Sequence, residues 1–95
     1  MNDFQLISLI VDNEENLIEI RDTSRKICES LGFSHLEQVK ITTSVSEIGR
    51  NIYEYAKKGT IQFFYINNKN KQGIKIVATD QGPGIKNLDK ILQGK

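Results

Sequence analysis

Apolar positions recur along this chain with two different periods, and the changes of period mark its elements. From Phe4 to Val11 the run FQLISLIV is apolar, β-branched and short, which predicts a strand. The rhythm then becomes helical: Leu17, Ile20, Ile27, Cys28 and Leu31 share one stripe, with Ser24 between them. Asp12 or Asn13 caps this helix, Glu14 and Glu15 complement its dipole, and Gly32 closes it. Ser34-His35-Leu36-Glu37 has the form of a capping box and opens a second helix, expected to run to about Lys57 and stop at Gly59. Two strands follow, TIQFFYIN and GIKIVATD, with the polar NKNKQ between them as a hairpin loop. Past Asp80 the chain turns through Gln81-Gly82-Pro83-Gly84 into IKNLDKIL, which reads as a short helix. The order predicts one α+β domain over residues 1–95. Its economical packing is a two-layer α/β sandwich, with both long helices on one face of a mixed, largely antiparallel sheet.

Composition narrows the class. Hydrophobic content of 38% and charged content of 26% fit a globular chain and argue against disorder. At 95 residues the domain is small for a fold resting on one core. Thirteen basic and 12 acidic residues are spread evenly, so the basic patch of a nucleic-acid binder is missing. A single cysteine cannot form an internal disulfide. The N-terminal apolar run is too short for a membrane span and lacks a basic flank, so the chain reads as cytoplasmic, with no membrane association.

The second helix carries the informative chemistry. At about 3.6 residues per turn, Ile41, Val45, Ile48, Ile52 and Ala56 fall in one sector, the face expected to lie on the sheet. Glu47 and Asn51 lie one turn apart in a polar sector, with Thr43 and Glu54 beside them and Ser44 and Arg50 at its borders. A carboxylate stacked on a carboxamide offers oxygen ligands to a hard cation such as Mg²⁺, and the carboxylate can also position or deprotonate a hydroxyl or water. On spacing alone, however, any solvated helix face looks the same.

The Gly-Pro-Gly corner has two readings as well. Gly82 and Gly84 supply permissive dihedrals and Pro83 stiffens the turn; alternatively, the missing Cβ atoms let backbone N–H groups approach a ligand. Asp80 is an acceptor suited to a donor on a flat heterocycle. Neither a Walker-type loop nor a dinucleotide fingerprint is present. Elsewhere, His35 is expected to be exposed, Cys28 to be a small core residue, and Lys57 and Lys58 to complement a helix end. Phe63, Phe64 and Tyr65 must point to alternate faces, one in the core and the other offering an interaction surface or homodimer contact.

Together the two motifs carry a resemblance. SEIGRNIYEYA resembles the N box of the GHKL ATPase superfamily, and DQGPG resembles its first glycine box. The wider stretch from QVKITTSVSEIGRNIYEYAKKGTI to GIKIVATDQGPGI is most similar to the anti-sigma-factor and switch-protein serine kinases of bacterial stress signalling (RsbT type), over about Leu6 to Leu92. The resemblance implies the Bergerat fold, with Asn51 ligating the Mg²⁺ that bridges the ATP phosphates and Glu47 acting as general base. It implies that Asp80 accepts from the adenine amino group and that Gly82 and Gly84 let the backbone lie against the nucleotide. Arg50 matches in position, with phosphate contact and partner contact both open. The implied substrate is a serine or threonine hydroxyl on a STAS-domain antagonist protein.

One departure stands out. Such kinases continue past the first glycine box into an ATP lid and a second glycine box, whereas ILQGK stands where the lid would begin. The expectation is a C-terminally incomplete domain with an exposed strand edge and weakened catalysis. The alternative function is a catalytically inactive, kinase-like binding module that sequesters a STAS protein, a PP2C-type phosphatase or a sigma factor.

Overall fold

Burial of two helical stripes on one sheet face organises the molecule, a computed structural model that describes residues 2–69, 71–80 and 87–93. Strand β1 (Asn2–Val11) leads into helix α1 (Glu14–Ser30) and helix α2 (His35–Asn51). A π-helical turn (Ile52–Ala56) follows, then strands β2 (Gly59–Asn68), β3 (Lys71–Asp80) and β4 (Asn87–Gln93). The sheet has the order β1-β2-β3-β4, and each neighbouring pair is antiparallel. The α+β sandwich expected from the sequence is therefore present. Among the described residues every strand pair is antiparallel, and none is parallel.

Both helix starts are built as the sequence predicts. Asn13 and Asn16 cap each other reciprocally at α1, and Ser34 and Glu37 do so at α2, with Ser34 N–H donating to Glu37 Oε1 at 2.8 Å. Each box satisfies N–H groups that have no helical partner. Between the helices Gly32 takes the left-handed conformation, φ +77°, and the hairpin joining them is tied to the sheet. Gln72 of β3 donates to the Leu31 carbonyl at 3.0 Å and accepts from the Tyr65 hydroxyl at 3.1 Å.

The core lies between the helices and the inner sheet face. Registered rows of Phe63 and Ile76, and of Leu9, Ile61 and Ala78, form one core with Ile20, Cys28, Ile41, Val45 and Ile48. Phe63, Ile61, Ile20 and Val45 are fully buried, and each such side chain contributes about 1.5–3 kcal/mol. Phe64 faces the other way, half-buried, with the Lys75 ammonium 5.7 Å from its ring centre.

Three details depart from the sequence expectation. First, β1 carries a bulge: Gln5 pairs with Phe64 and Ile7 with Phe63, leaving Leu6 unpaired. The bulge resets the alternation, so that Phe4, opposite Tyr65, shares a face with Ile7, Leu9 and Val11. Second, the hairpin loop is shorter than NKNKQ, since β2 and β3 pair from Asn68↔Lys71 onward. Third, residues 87–93 form β4, paired with Gly73–Thr79, and not a short helix. Seven residues make a marginal helix, whereas pairing satisfies the row of backbone groups along the open side of β3. The exposed strand edge expected there is thus occupied.

Two measurements test this packing. Ser34→Ala should cost about 1 kcal/mol in urea unfolding, with an unchanged m-value. Cys28 is buried, and burial together with the Glu37 carboxylate pushes its thiol up from 9.0 to about 11. Because the folded chain holds this proton longer than the unfolded one, the stabilising contribution is complete below pH 9.0 and is lost as pH rises through about 11. Urea unfolding across that range should show the decline, and Cys28→Ala should flatten it.

Candidate functional site

The site begins with how α2 ends. Regular winding holds to Asn51, after which the π turn widens the helix and Lys57 N–H donates to the Ile52 carbonyl at 2.9 Å. Lys57 closes the turn in the left-handed region, φ 67°, a conformation costing about 1–2 kcal/mol for a residue with a Cβ. Its ammonium lies 5.5 Å from the centre of the Tyr53 ring, a cation–π contact that offsets about 0.5–1 kcal/mol. The helix was expected to reach Lys57, and the winding does persist to Ala56. The helical wheel applies to Glu47 and Asn51, on α2, but not to Glu54 beyond it.

The turn then meets the sheet at Gly59. Val11 and Asp80 flank this glycine on the neighbouring strands. A Cβ built on Gly59 would stand 2.4 Å from the Thr79 carbonyl oxygen, 2.7 Å from Ile52 Cγ2 and 3.0 Å from Asp80 Cα. No side chain fits there. The residue after Asn51 is therefore pressed against the strand pair that ends in Asp80. By this contact the fold brings the end of α2 and the end of β3, far apart in sequence, to one end of the sheet.

Glu47 and Asn51 lie one helical turn apart on α2 and are both exposed, as is Arg50 in its last turn. Asp80 is half-buried as the final residue of β3. None of the four engages its side chain in a hydrogen bond or ion pair among the described residues. Gly82 and Gly84 lie outside the described residues. No group of three or more His, Cys, Asp or Glu side chains that could hold a metal occurs among the described residues. Mg²⁺ does not require one, since it commonly takes one or two protein oxygens and completes its shell with water and substrate phosphates. The uncommitted Asn51 carboxamide and Glu47 carboxylate fit that requirement.

Other candidates separate from this end. Cys28 is a core residue and His35 is exposed, as the sequence suggested. A groove of about 410 Å³ runs between β1 and α1, lined chiefly by Leu6, Ile7, Ile27 and Leu31 with Lys26 at its side. It holds none of the proposed site residues. No described helix is long and apolar enough to cross a membrane. Sequence reasoning missed Gly59 as a contact point. The available signal was a glycine opening a strand directly after a helix, read there only as a stop.

No family model matches the chain, and no solved structure matches it. A sequence comparison is more informative. The chain is 39% identical over 93 residues to the serine/threonine-protein kinase RsbT of Bacillus subtilis (strain 168), spanning 98% of this chain and 68% of that protein. An alignment of this extent spans α2, the strand pair and the Asp80 corner together. On that evidence the chain belongs to the RsbT-type serine/threonine-protein kinases of the GHKL superfamily.

Proposed function

We propose that this protein binds Mg-ATP at the end of the sheet where α2 meets β3, and transfers the γ-phosphoryl group to a serine or threonine of a STAS-domain antagonist. The observation that carries this reading is the seating of Ile52 on Gly59 beside Asp80. It sets two kinds of uncommitted oxygen, those of Glu47 and Asn51 on one element and that of Asp80 on another, around one end of the fold. Family membership supports the activity.

In this reading Asp80 accepts from the adenine amino group, and Gly82 and Gly84 let the chain pass close to the nucleotide. The Asn51 carboxamide oxygen would hold Mg²⁺, which when bound neutralises charge on the phosphates. Glu47 takes the proton from the attacking hydroxyl as its oxygen bonds to phosphorus and ADP leaves. Arg50, exposed at the border of the same face, is suited to phosphate or to an acidic partner surface. Such chemistry asks mainly for positioning and charge, which a few side chains on rigid elements can supply. The proposed setting is cytoplasmic, within a partner-switching stress pathway.

Calorimetric titration of Mg-ATP tests the pocket. Saturable binding is expected, weakened by both Asn51→Ala and Asp80→Asn. Glu47→Gln should retain binding yet slow phosphorylation of a STAS-domain substrate by about 100-fold or more. A folded protein that binds no Mg-ATP would overturn the reading in favour of a module acting by contact alone.

A further inference from the structure

Gly59 touches no proposed ligand, yet its geometry bears directly on the site. Three separate pieces of backbone and side chain crowd the place a Cβ would take: the Thr79 carbonyl, Ile52 Cγ2 and Asp80 Cα. Distances of 2.4 to 3.0 Å leave no room even for a methyl group, and two of the three obstacles are backbone. Gly59 is buried, and its φ does not lie in the left-handed region, so conformational freedom is not what selects glycine here. Close approach is.

The approach joins the two halves of the proposed pocket. On the helix side, Ile52 follows Asn51 directly and is buried, so any outward shift of Ile52 carries Asn51 with it. On the strand side, Asp80 is the direct β-partner of Gly59. We infer that Gly59 is a positioning residue, whose missing side chain sets the spacing between Asn51 on α2 and Asp80 on β3. This inference rests on the nucleotide-binding reading above. A spacing gauge acts on ligands that span both halves more strongly than on ligands held mainly by one.

The experiment compares Mg-ATP, which uses both sides, with magnesium-free ADP, which relies more on the Asp80 side. Both are titrated calorimetrically into the wild-type protein, Gly59→Ala, Ile52→Ala and Ile74→Ala, at a temperature where circular dichroism shows each folded. Ile52→Ala opens the same contact without adding atoms, so it answers the question if Gly59→Ala fails to fold. Ile74 is fully buried in β3 and pairs with Tyr65, remote from Asp80 along the strand, and serves as an equal core deletion. In Gly59→Ala and Ile52→Ala, Mg-ATP affinity should fall on the order of tenfold, and ADP affinity by less than about threefold. Ile74→Ala should lower the melting temperature and leave both affinities unchanged.

Wild-type affinity for Mg-ATP in both site variants would overturn the inference while leaving the pocket standing. So would equal losses for the two ligands, or the same losses in Ile74→Ala, since these mark a purely structural role. A wild-type protein that binds neither ligand would remove the pocket itself and the inference with it.

Discussion

The structure depends on one three-way contact between α1, α2 and the sheet. A Cβ on Gly49 would lie 3.3 Å from Ile20 Cδ1, 3.4 Å from Leu17 Cδ2 and 3.6 Å from Ile61 Cδ1. The glycine surface of α2 thus receives the apolar stripe of α1 and the inner sheet face at a single point. Interiors packed at this density transmit displacement rather than absorb it. Gly49 is followed by Arg50, Asn51 and Ile52, so the packing that seats the helix pair also fixes where the polar face of α2 leaves the core. Gly59 adds a second seat ten residues later at the sheet end. Between them, the last turn of α2 is held from the side and from below.

How much of this was legible follows from the range of each signal. Caps are local: Ser34 and Glu37 are three residues apart, and their reciprocal hydrogen bonds form as the spacing suggests. The stripes of both helices and the alternation from Ile61 to Tyr65 are likewise short-range patterns, and Phe63 is buried while Phe64 is not. The misses concern groups whose partners are distant in sequence. The Leu6 bulge is settled by pairing with β2, and β4 by the backbone groups that β3 leaves open. NLDKILQ carries apolar residues at spacings compatible with either structure, so periodicity could not decide it. Gly59 looked like an ordinary helix stop because its crowding comes from Thr79 and Asp80, twenty residues further along.

The candidate site divides in the same way. Glu47, Asn51 and Asp80 could be named because they match short motifs in the resemblance to the GHKL superfamily, and motif residues are local in sequence. Spacing alone left a solvated helix face equally in view. The structure adds a juxtaposition: the polar face of α2 ends at Ile52, and Ile52 rests on the strand pair that terminates in Asp80. The relationship between two sequence motifs is therefore expressed through residues belonging to neither. Comparison with RsbT of Bacillus subtilis extends the similarity across both motifs and the scaffold between them.

Exposure of the proposed groups is consistent with phosphoryl transfer. Glu47, Arg50 and Asn51 stand on the surface of a helix whose opposite side carries Val45 and Ile48 in the core. Burying them without partners would cost several kcal/mol, about 1–3 for each unsatisfied polar group and more for a charge. Leaving them in water avoids that cost until a ligand arrives, but it also removes the enclosure that usually orients catalytic groups. Orientation must then come from the backbone. A helix locked at Gly49 and seated at Gly59 can orient exposed side chains because its own position is overdetermined by buried contacts. In this protein the hydrophobic core and the polar face are two sides of one helix, and the rigidity of the first fixes where the second meets solvent.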